Sequence, residues 1–164
     1  MDKSVEAYRK MALDQMEENR RYFKKIKKRN RRGLDDTMQQ LHDQEFERTD
    51  CLTCGNCCKT TSPIFTEKDI VRISKHLRMK QTDFIDQFLE MDQDNFWVLK
   101  TAPCHFLMED NACMIYEVRP KACKEYPHTN RRRFFQLTEL TLNNTLICPA
   151  AFRIVEALKQ KMPL

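Results

Sequence analysis

Residues 51–58 read Cys-Leu-Thr-Cys-Gly-Asn-Cys-Cys, so half of the eight cysteines in the chain fall within one short segment. Two thiolates separated by two residues can wrap one metal ion, because the turn between them directs backbone N–H groups at the sulfurs. Gly55 follows Cys54 where the chain must reverse, and glycine adopts a positive φ there without steric cost. We predict that this segment, called the cysteine knot below, organises a metal-binding domain.

The other four cysteines are dispersed along the second half of the chain. We predict that all eight bind metal, namely Cys51, Cys54, Cys57, Cys58, Cys104, Cys113, Cys123 and Cys148. The adjacent Cys57 and Cys58 project in different directions and are expected to serve different sites. Eight thiolates match two zinc sites, one four-iron cluster plus one zinc, or two clusters. The Cys148-Pro149 pair is similar to the remote Cys-Pro ligand of ferredoxins, which favours one [4Fe–4S] cluster held by the knot and Cys148.

The composition of the chain argues against membrane, secreted and nucleotide-binding proteins. A chain of 164 residues suits one domain with an appendage, and its 32% charged residues and mean hydropathy of -0.70 predict no membrane association. The first twenty residues lack the apolar core of a secretory signal, so a cytoplasmic location is expected. Cytosolic thiols are kept reduced, which favours metal binding over disulfides. With two glycines, neither a dinucleotide-binding turn nor a Walker phosphate loop can be built.

Residues 1–48 contain no cysteine and are predicted to form a charged helical arm. Apolar spacing indicates a helix from Ser4 to about Arg32, broken at Gly33, with Val5, Tyr8, Met11, Phe23 and Ile26 on one face. Nine of the thirteen residues from Arg20 to Arg32 are Lys or Arg, and an acidic stretch follows at residues 35–47. Two interpretations stand: a solvated helical hairpin with complementary arms, or a docking element for nucleic acid or an acidic protein.

Residues 49–164 are predicted to form the cysteine-cluster domain, which is mostly helical with short strands. Thr66 and Asp69 form a capping box before one helix, a second helix begins near Thr82, and a final helix begins at Pro149. We predict strands at 96–99 and within 134–142, with a turn at 109–111. The predicted fold class is therefore α+β, preceded by the helical arm.

Beyond the cysteine spacing, the intervening residues carry a resemblance to a known family. The knot is followed by Pro103-Cys104-x-Phe106-Leu107, Cys113-x-Ile115-Tyr116-x-x-Arg119-Pro120-x-x-Cys123 and Tyr126-Pro127. This combination closely resembles the YkgJ-type cysteine-cluster family over about residues 49–158, which implies zinc or iron chelation. Flagellin lysine N-methylases are distantly similar over the cysteine domain, but this chain shows no added segment for a methyl-donor site, so their activity is not carried over.

Several residues between the cysteines are candidates for supporting the bound metal. Arg119 can offset the negative charge of a polythiolate site, and with Tyr116 it is our candidate cofactor-binding pair. Tyr116, Tyr126 and Pro127 are expected to form a packed wall that keeps water from the metal. His105 and His128 could each replace a thiolate as ligand.

Two functions remain open at this point. In the first, a zinc or iron–sulfur site has a structural or regulatory role, and the basic arm binds protein or nucleic acid. In the second, the metal is the reactive centre of a small enzyme that modifies protein side chains or carries electrons. A closed tetrahedral zinc site favours the first function, and an open coordination position favours the second.

Overall fold

The structure is a computed structural model that describes residues 3–28 and 32–164 of the chain. Helices predominate, as α1 Lys3–Lys28, α2 Leu34–Phe46, α3 Cys51–Cys54, α4 Asn56–Thr60, α5 Glu67–His76, α6 Gln81–Phe88, α7 Lys121–Glu125, α8 Thr138–Asn144 and α9 Pro149–Lys161. Two short strands, β1 Leu89–Met91 and β2 Trp97–Leu99, form an antiparallel hairpin, and 3₁₀ turns span Tyr116–Val118 and Phe134–Gln136. The predicted α+β class with an N-terminal helix is confirmed.

The chain divides into two compact units, and this division differs from the predicted one. Unit 1 comprises residues 1–49 and 127–164, and unit 2 comprises residues 50–126. Sequence patterns had placed residues 127–164 in the same domain as the cysteine knot, with the arm as a separate appendage. In the structure the arm shares a core with α8 and α9, because each helix has an apolar face that the other covers.

Unit 1 is a helical unit with an apolar core drawn from both ends of the chain. Its core residues are Tyr22, Phe23, Ile26, Leu34, Met38, Leu41, Phe134, Leu142, Ile154, Val155 and Leu158. Gly33, at φ 75°, separates α1 from α2, as its position in the sequence predicted. The arm is therefore one wall of a core and not a solvated hairpin.

The helix α1 follows the predicted periodicity with one exception. Tyr8, Phe23 and Ile26 are buried, whereas Met11 is 54% exposed and Ala12 takes its place on the buried face. Ala12 lies four residues after Tyr8, and this spacing keeps it on the same side of the helix. Residues 29–31 of the predicted extension to about Arg32 and the side chain of Val5 lie outside what the structure describes.

Unit 2 packs α5, α6 and the β1–β2 hairpin around an aromatic and aliphatic core. This core comprises Phe65, Ile70, Ile73, Phe84, Phe88, Leu89, Leu99, Phe106 and Ile115. The predicted capping box is present, because the Thr66 side chain accepts from Asp69 N–H and the Asp69 carboxylate accepts from Thr66 N–H. Leu89 pairs with Leu99 across the hairpin. The strand expected at 96–99 is thus confirmed.

The strands predicted within residues 134–142 are wrong. This segment forms a 3₁₀ turn followed by α8, in which Thr138, Thr141, Leu142 and Asn144 are buried, as is Thr145 just beyond the helix. Thr138, Thr141, Leu142 and Thr145 recur at steps of three and four residues, which is helical, whereas a strand would bury alternate residues. The β-branched threonines suggested strands, and their burial against α1 and α9 overrides that propensity.

None of the described helices combines the length and apolarity needed to cross a bilayer.

Candidate metal centre

The cysteine knot consists of two short helices joined at a glycine. The Asp50 carboxylate caps α3 by accepting from the N–H of Leu52 at 2.9 Å. Gly55 then adopts a left-handed conformation with φ 57°, and its N–H donates to the carbonyl oxygen of Cys51 at 2.9 Å. This reversal starts α4 immediately, so that Cys57 and Cys58 lie on a second turn of helix beside the first. The positive φ predicted for Gly55 is confirmed.

A distant residue packs against this reversal. A Cβ atom added to Gly55 would lie 3.0 Å from the Oδ1 atom of Asn111. The side-chain amide of Asn111 also donates to the carbonyl oxygen of Thr53 at 3.4 Å. The absence of a side chain at position 55 therefore permits both the left-handed turn and the close approach of the 109–111 turn.

Residues 104–113 form a loop whose two ends each carry a cysteine. The N–H of Cys104 donates to the carbonyl oxygen of Cys58 at 2.7 Å, which attaches the loop to the knot. An antiparallel bridge between Leu107 and Cys113 closes the loop, and the N–H of Met108 donates to the carbonyl oxygen of Ala112 at 2.8 Å. The backbone thus brings cysteines that are widely separated in sequence next to the knot.

Backbone N–H groups point at several of the cysteine sulfurs. The N–H groups of Phe106 and Leu107 hydrogen-bond to the Cys104 sulfur, and that of Ile115 hydrogen-bonds to the Cys113 sulfur. These donors lie two or three residues after the cysteine, as in the turns that hold thiolate-bound metals. The sequence analysis expected this arrangement in the cysteine knot, and the structure provides it at Cys104 and Cys113.

Four thiols of unit 2 lie close enough for their charges to act on one another. Burial, followed by the charges of the neighbouring Cys58, Cys104 and Cys113, raises the pKa of Cys123 to about 12. Burial is also the main cause of the raised pKa values of Cys104 and Cys113, with Cys58 contributing to both. Without a cation, four thiolates here would repel one another, so the apo site favours protonated thiols.

Cys58 differs from its neighbours. A hydrogen bond from the Cys57 thiol lowers the pKa of Cys58 to about 7 against the effect of burial, and the charge of Lys59 adds to this. The pKa of Cys51 is raised, mainly by burial and also by Cys54, Asp50 and Cys58. Cys58 therefore interacts with the knot on one side and with the dispersed cysteines on the other.

Arg119 is a cation that acts on three of the thiols in unit 2. Its charge lowers the pKa values of Cys51, Cys113 and Cys123, in each case against the larger effect of burial. The guanidinium carbon lies 3.9 Å from the centre of the Tyr116 ring, and Nη1 donates to the Tyr116 carbonyl oxygen at 2.6 Å. Tyr116 is 41% exposed, so it supports Arg119 and does not form part of a buried wall.

A half-buried ion pair that sequence reasoning missed holds the Arg119 backbone in place. The Arg72 guanidinium contacts the Asp69 carboxylate at 2.5 Å and donates to the carbonyl oxygens of Val118 and Arg119 at 3.3 and 2.9 Å. Asp69 also accepts from the N–H of Lys121 at 3.1 Å. The i, i+3 spacing of Asp69 and Arg72 was visible in the sequence, but their long-range partners were not.

The structure brings some predicted ligands together in unit 2, and others belong to unit 1. Seven of the eight cysteines lie in unit 2, and Cys148 lies in unit 1, where its sulfur accepts from the N–H of Ala151 at 3.4 Å. His128 also belongs to unit 1, whereas the His105 ring packs against Phe88 at a centroid distance of 4.7 Å. Across residues 3–28 and 32–164, no three Cys, His, Asp or Glu side chains stand in a ready-made coordination shell.

Comparison with protein families identifies one matching model. It is named CxxCxxCC and described as a "putative zinc- or iron-chelating domain", and it matches residues 50–148. The matched range begins at the helix cap of the cysteine knot and ends at Cys148, so it contains every cysteine of the chain. No curated protein and no solved structure gives a significant match.

Proposed function

Because the chain belongs to the CxxCxxCC family of zinc- or iron-chelating domains, we propose that unit 2 binds zinc or an iron–sulfur cluster through its cysteine thiolates. The backbone contacts that attach residues 104–113 to Cys58 carry this proposal, and the mutual electrostatic effect of Cys58, Cys104, Cys113 and Cys123 agrees with it. A bound cation replaces the repulsion among thiolates with attraction, and four sulfurs satisfy one tetrahedral ion or one four-iron cluster.

These four cysteines are proposed as one ligand set. The N–H groups directed at Cys104 and Cys113 stabilise the thiolate forms, and Arg119 offsets the charge that remains. Cys51, Cys54 and Cys57 stay predicted ligands in the same unit. Cys148 as a further ligand stays a prediction.

A structural or regulatory role fits this ligand set better than catalysis. A metal bound by four thiolates keeps no open position for a substrate, and structural thiolate sites contribute directly to folding. Metal binding by reduced thiolates suits the reducing cytoplasm that the proposal assumes. The second part of the proposed function is the docking of an acidic macromolecule by the basic arm in unit 1.

The test is anaerobic purification followed by zinc, iron and acid-labile sulfide analysis and an absorption spectrum. We expect one or two equivalents of zinc, or iron with sulfide and visible absorption. Cys113→Ser should lose metal, whereas the control Met114→Ser, at a neighbouring side chain that is 55% exposed, should keep it. A folded, metal-free protein from anaerobic cells would refute the proposal, and so would full metal content in Cys113→Ser.

A further inference from the structure

The positive charge of the chain is concentrated in unit 1. Unit 1 carries 19 Lys and Arg against 12 Asp and Glu, whereas unit 2 carries 10 against 12. The net charge of +5 for the whole chain therefore understates the charge of unit 1, because unit 2 offsets part of it. A charge excess confined to one unit affects which partners the surface of that unit attracts.

A second basic segment, which the sequence analysis did not consider, lies beside the arm. Arg131, Arg132 and Arg133 are consecutive and exposed, and Arg133 lies 98 positions after Asp35. The Asp35 carboxylate at the start of α2 accepts from the N–H of Arg133 at 2.8 Å and from that of Phe134 at 3.0 Å. Arg132 also lines the same cavity as Asp36. The arginine run is thus attached to the α1–α2 connection.

Two further contacts hold the segment after the arginine run against the C-terminal half of α1. The Phe23 and Phe134 rings pack at a centroid distance of 6.0 Å, and Arg20 pairs with Glu139 at 3.6 Å. Residues 131–139 therefore run beside the most basic part of α1. We define the basic surface as the Lys and Arg residues of 20–28 together with Arg32 and Arg131–Arg133.

The side chains that the basic surface presents are cationic and not apolar. Lys24, Lys25, Lys28, Arg131 and Arg132 are exposed. Among the side chains that the structure describes in unit 1, the large apolar residues with substantial exposure are Met11, Leu13 and Leu140, none of which belongs to the surface. Acidic side chains offset the charge of the basic surface at residues 20 and 21. Arg20 pairs with Glu17 and Glu139, and Arg21 pairs with Glu17.

An exposed surface of cations without apolar side chains favours a phosphate backbone as the partner over an acidic protein or a membrane. Protein interfaces have buried aromatic or aliphatic anchors at their centre, which the basic surface lacks. A helix that lies in a membrane surface inserts an apolar face, but the apolar face of α1 is buried in the core of unit 1. Phosphates require only cations, and arginine binds them with two parallel hydrogen bonds.

We propose that unit 1 binds the phosphate backbone of a nucleic acid across the basic surface, with Arg131 and Arg132 contacting the same strand as Lys24, Lys25 and Lys28. This inference rests on the docking part of the proposed function and does not depend on the metal. The arm alone does not form the site, because the arginine run supplies part of it.

The test measures binding of the full chain to a fluorescently labelled 30-nucleotide single-stranded RNA by anisotropy, from 50 to 300 mM salt. Lys24→Glu/Lys25→Glu and Arg131→Glu/Arg132→Glu each reverse two charges, and Lys75→Glu/Lys80→Glu makes the same change on exposed residues of unit 2 as the matched control. Both unit 1 variants should weaken binding at least tenfold and lower the salt slope by about 2. The control should bind like the parent.

Three results would overturn the inference: no RNA or DNA binding below about 10 µM at 50 mM salt, an arginine variant that binds like the control, or tighter binding to phosphatidylserine vesicles than to RNA in one buffer. Melting curves of each variant exclude unfolding as the cause of lost binding, and the exposed positions make unfolding unexpected. Metal content is measured on the same preparations. Metal-loaded protein that ignores RNA refutes this inference alone, whereas metal-free protein that binds RNA refutes only the metal proposal.

Discussion

Gly55 combines two constraints that no other residue type satisfies. Its φ of 57° is left-handed, and the Asn111 side chain lies 3.0 Å from where a Cβ would project. Gly55→Ala should therefore cost about 1–2 kcal/mol for the backbone conformation, plus the displacement of Asn111. Gly33→Ala is the matched control, because Gly33 has φ 75° with nothing within 4 Å of its Cβ position. Thermal unfolding measures both, and equal losses would show that the Asn111 contact contributes nothing.

The thiol pKa values determine how many protons metal binding releases. At pH 7 the pKa values of Cys104, Cys113 and Cys123 are raised by burial, so these thiols are protonated, while Cys58, with a pKa of about 7, is half ionised. One zinc bound by these four thiolates should release about 3.5 protons. Calorimetric titration in buffers of different ionisation enthalpy measures the number.

Cys113→Ser provides the control for proton release, because one protonated thiol is removed from the ligand set. Its release should fall by about one proton if zinc still binds. A release of fewer than about two protons from the parent protein would mean that the metal is held by other groups or that the thiols are already ionised.

At the scale of the element, α8 offers a direct test of helix against strand. Leu142 is buried in the core of unit 1, whereas Leu140 is 41% exposed on the same short helix. Leu142→Ala should lower the free energy of unfolding by about 2–5 kcal/mol, and Leu140→Ala should change it by less than about 0.5 kcal/mol. Chemical denaturation measures both. A strand would place residues 140 and 142 on one face, so similar losses would contradict the helix.

At the scale of the whole molecule, each unit contains one buried carboxylate that is held ionised. Burial tends to raise the pKa of Glu45, but hydrogen bonds from Arg48, Arg153 and Thr49 lower it below the ordinary value. Burial also tends to raise the pKa of Asp69, but hydrogen bonds from Thr66, Arg72 and Lys121 lower it below the ordinary value. The stability that these carboxylates contribute is complete above an unfolded-state pKa of about 4 and is lost as the pH falls through the folded-state pKa.

Neutral variants should therefore remove part of the acid sensitivity. Glu45→Gln and Asp69→Asn should each lower stability at pH 7 by about 2 kcal/mol, because each removes a charged acceptor of several hydrogen bonds. Their loss of stability between pH 5 and pH 2 should be smaller than that of the parent. The control Glu139→Gln removes an exposed pair and should change little. Measuring the free energy of unfolding of each protein at several pH values tests this prediction. If that free energy fell equally with pH in the parent and in both variants, these two carboxylates would not cause the acid sensitivity.

Much of this protein follows from local sequence patterns. The capping box at Thr66, the positive φ at Gly55 and the helix start at Pro149 are each determined by residues within a few positions of one another. The cysteine spacing also predicted a metal site, and together with the residues between the cysteines it pointed to the cysteine-cluster family that the matching family model shows. Short-range hydrogen bonds and steric limits are encoded locally, so a sequence pattern predicts them well.

Only the tertiary structure decided which segments belong together. The arm and residues 127–164 share one core, and the threonine-rich segment became α8, because burial against distant helices outweighs local propensity. The contacts of Arg72 with the Arg119 backbone and of the arginine run with Asp35 likewise join residues far apart in the chain. Long-range packing depends on which apolar faces meet, and spacing along the sequence does not specify that pairing.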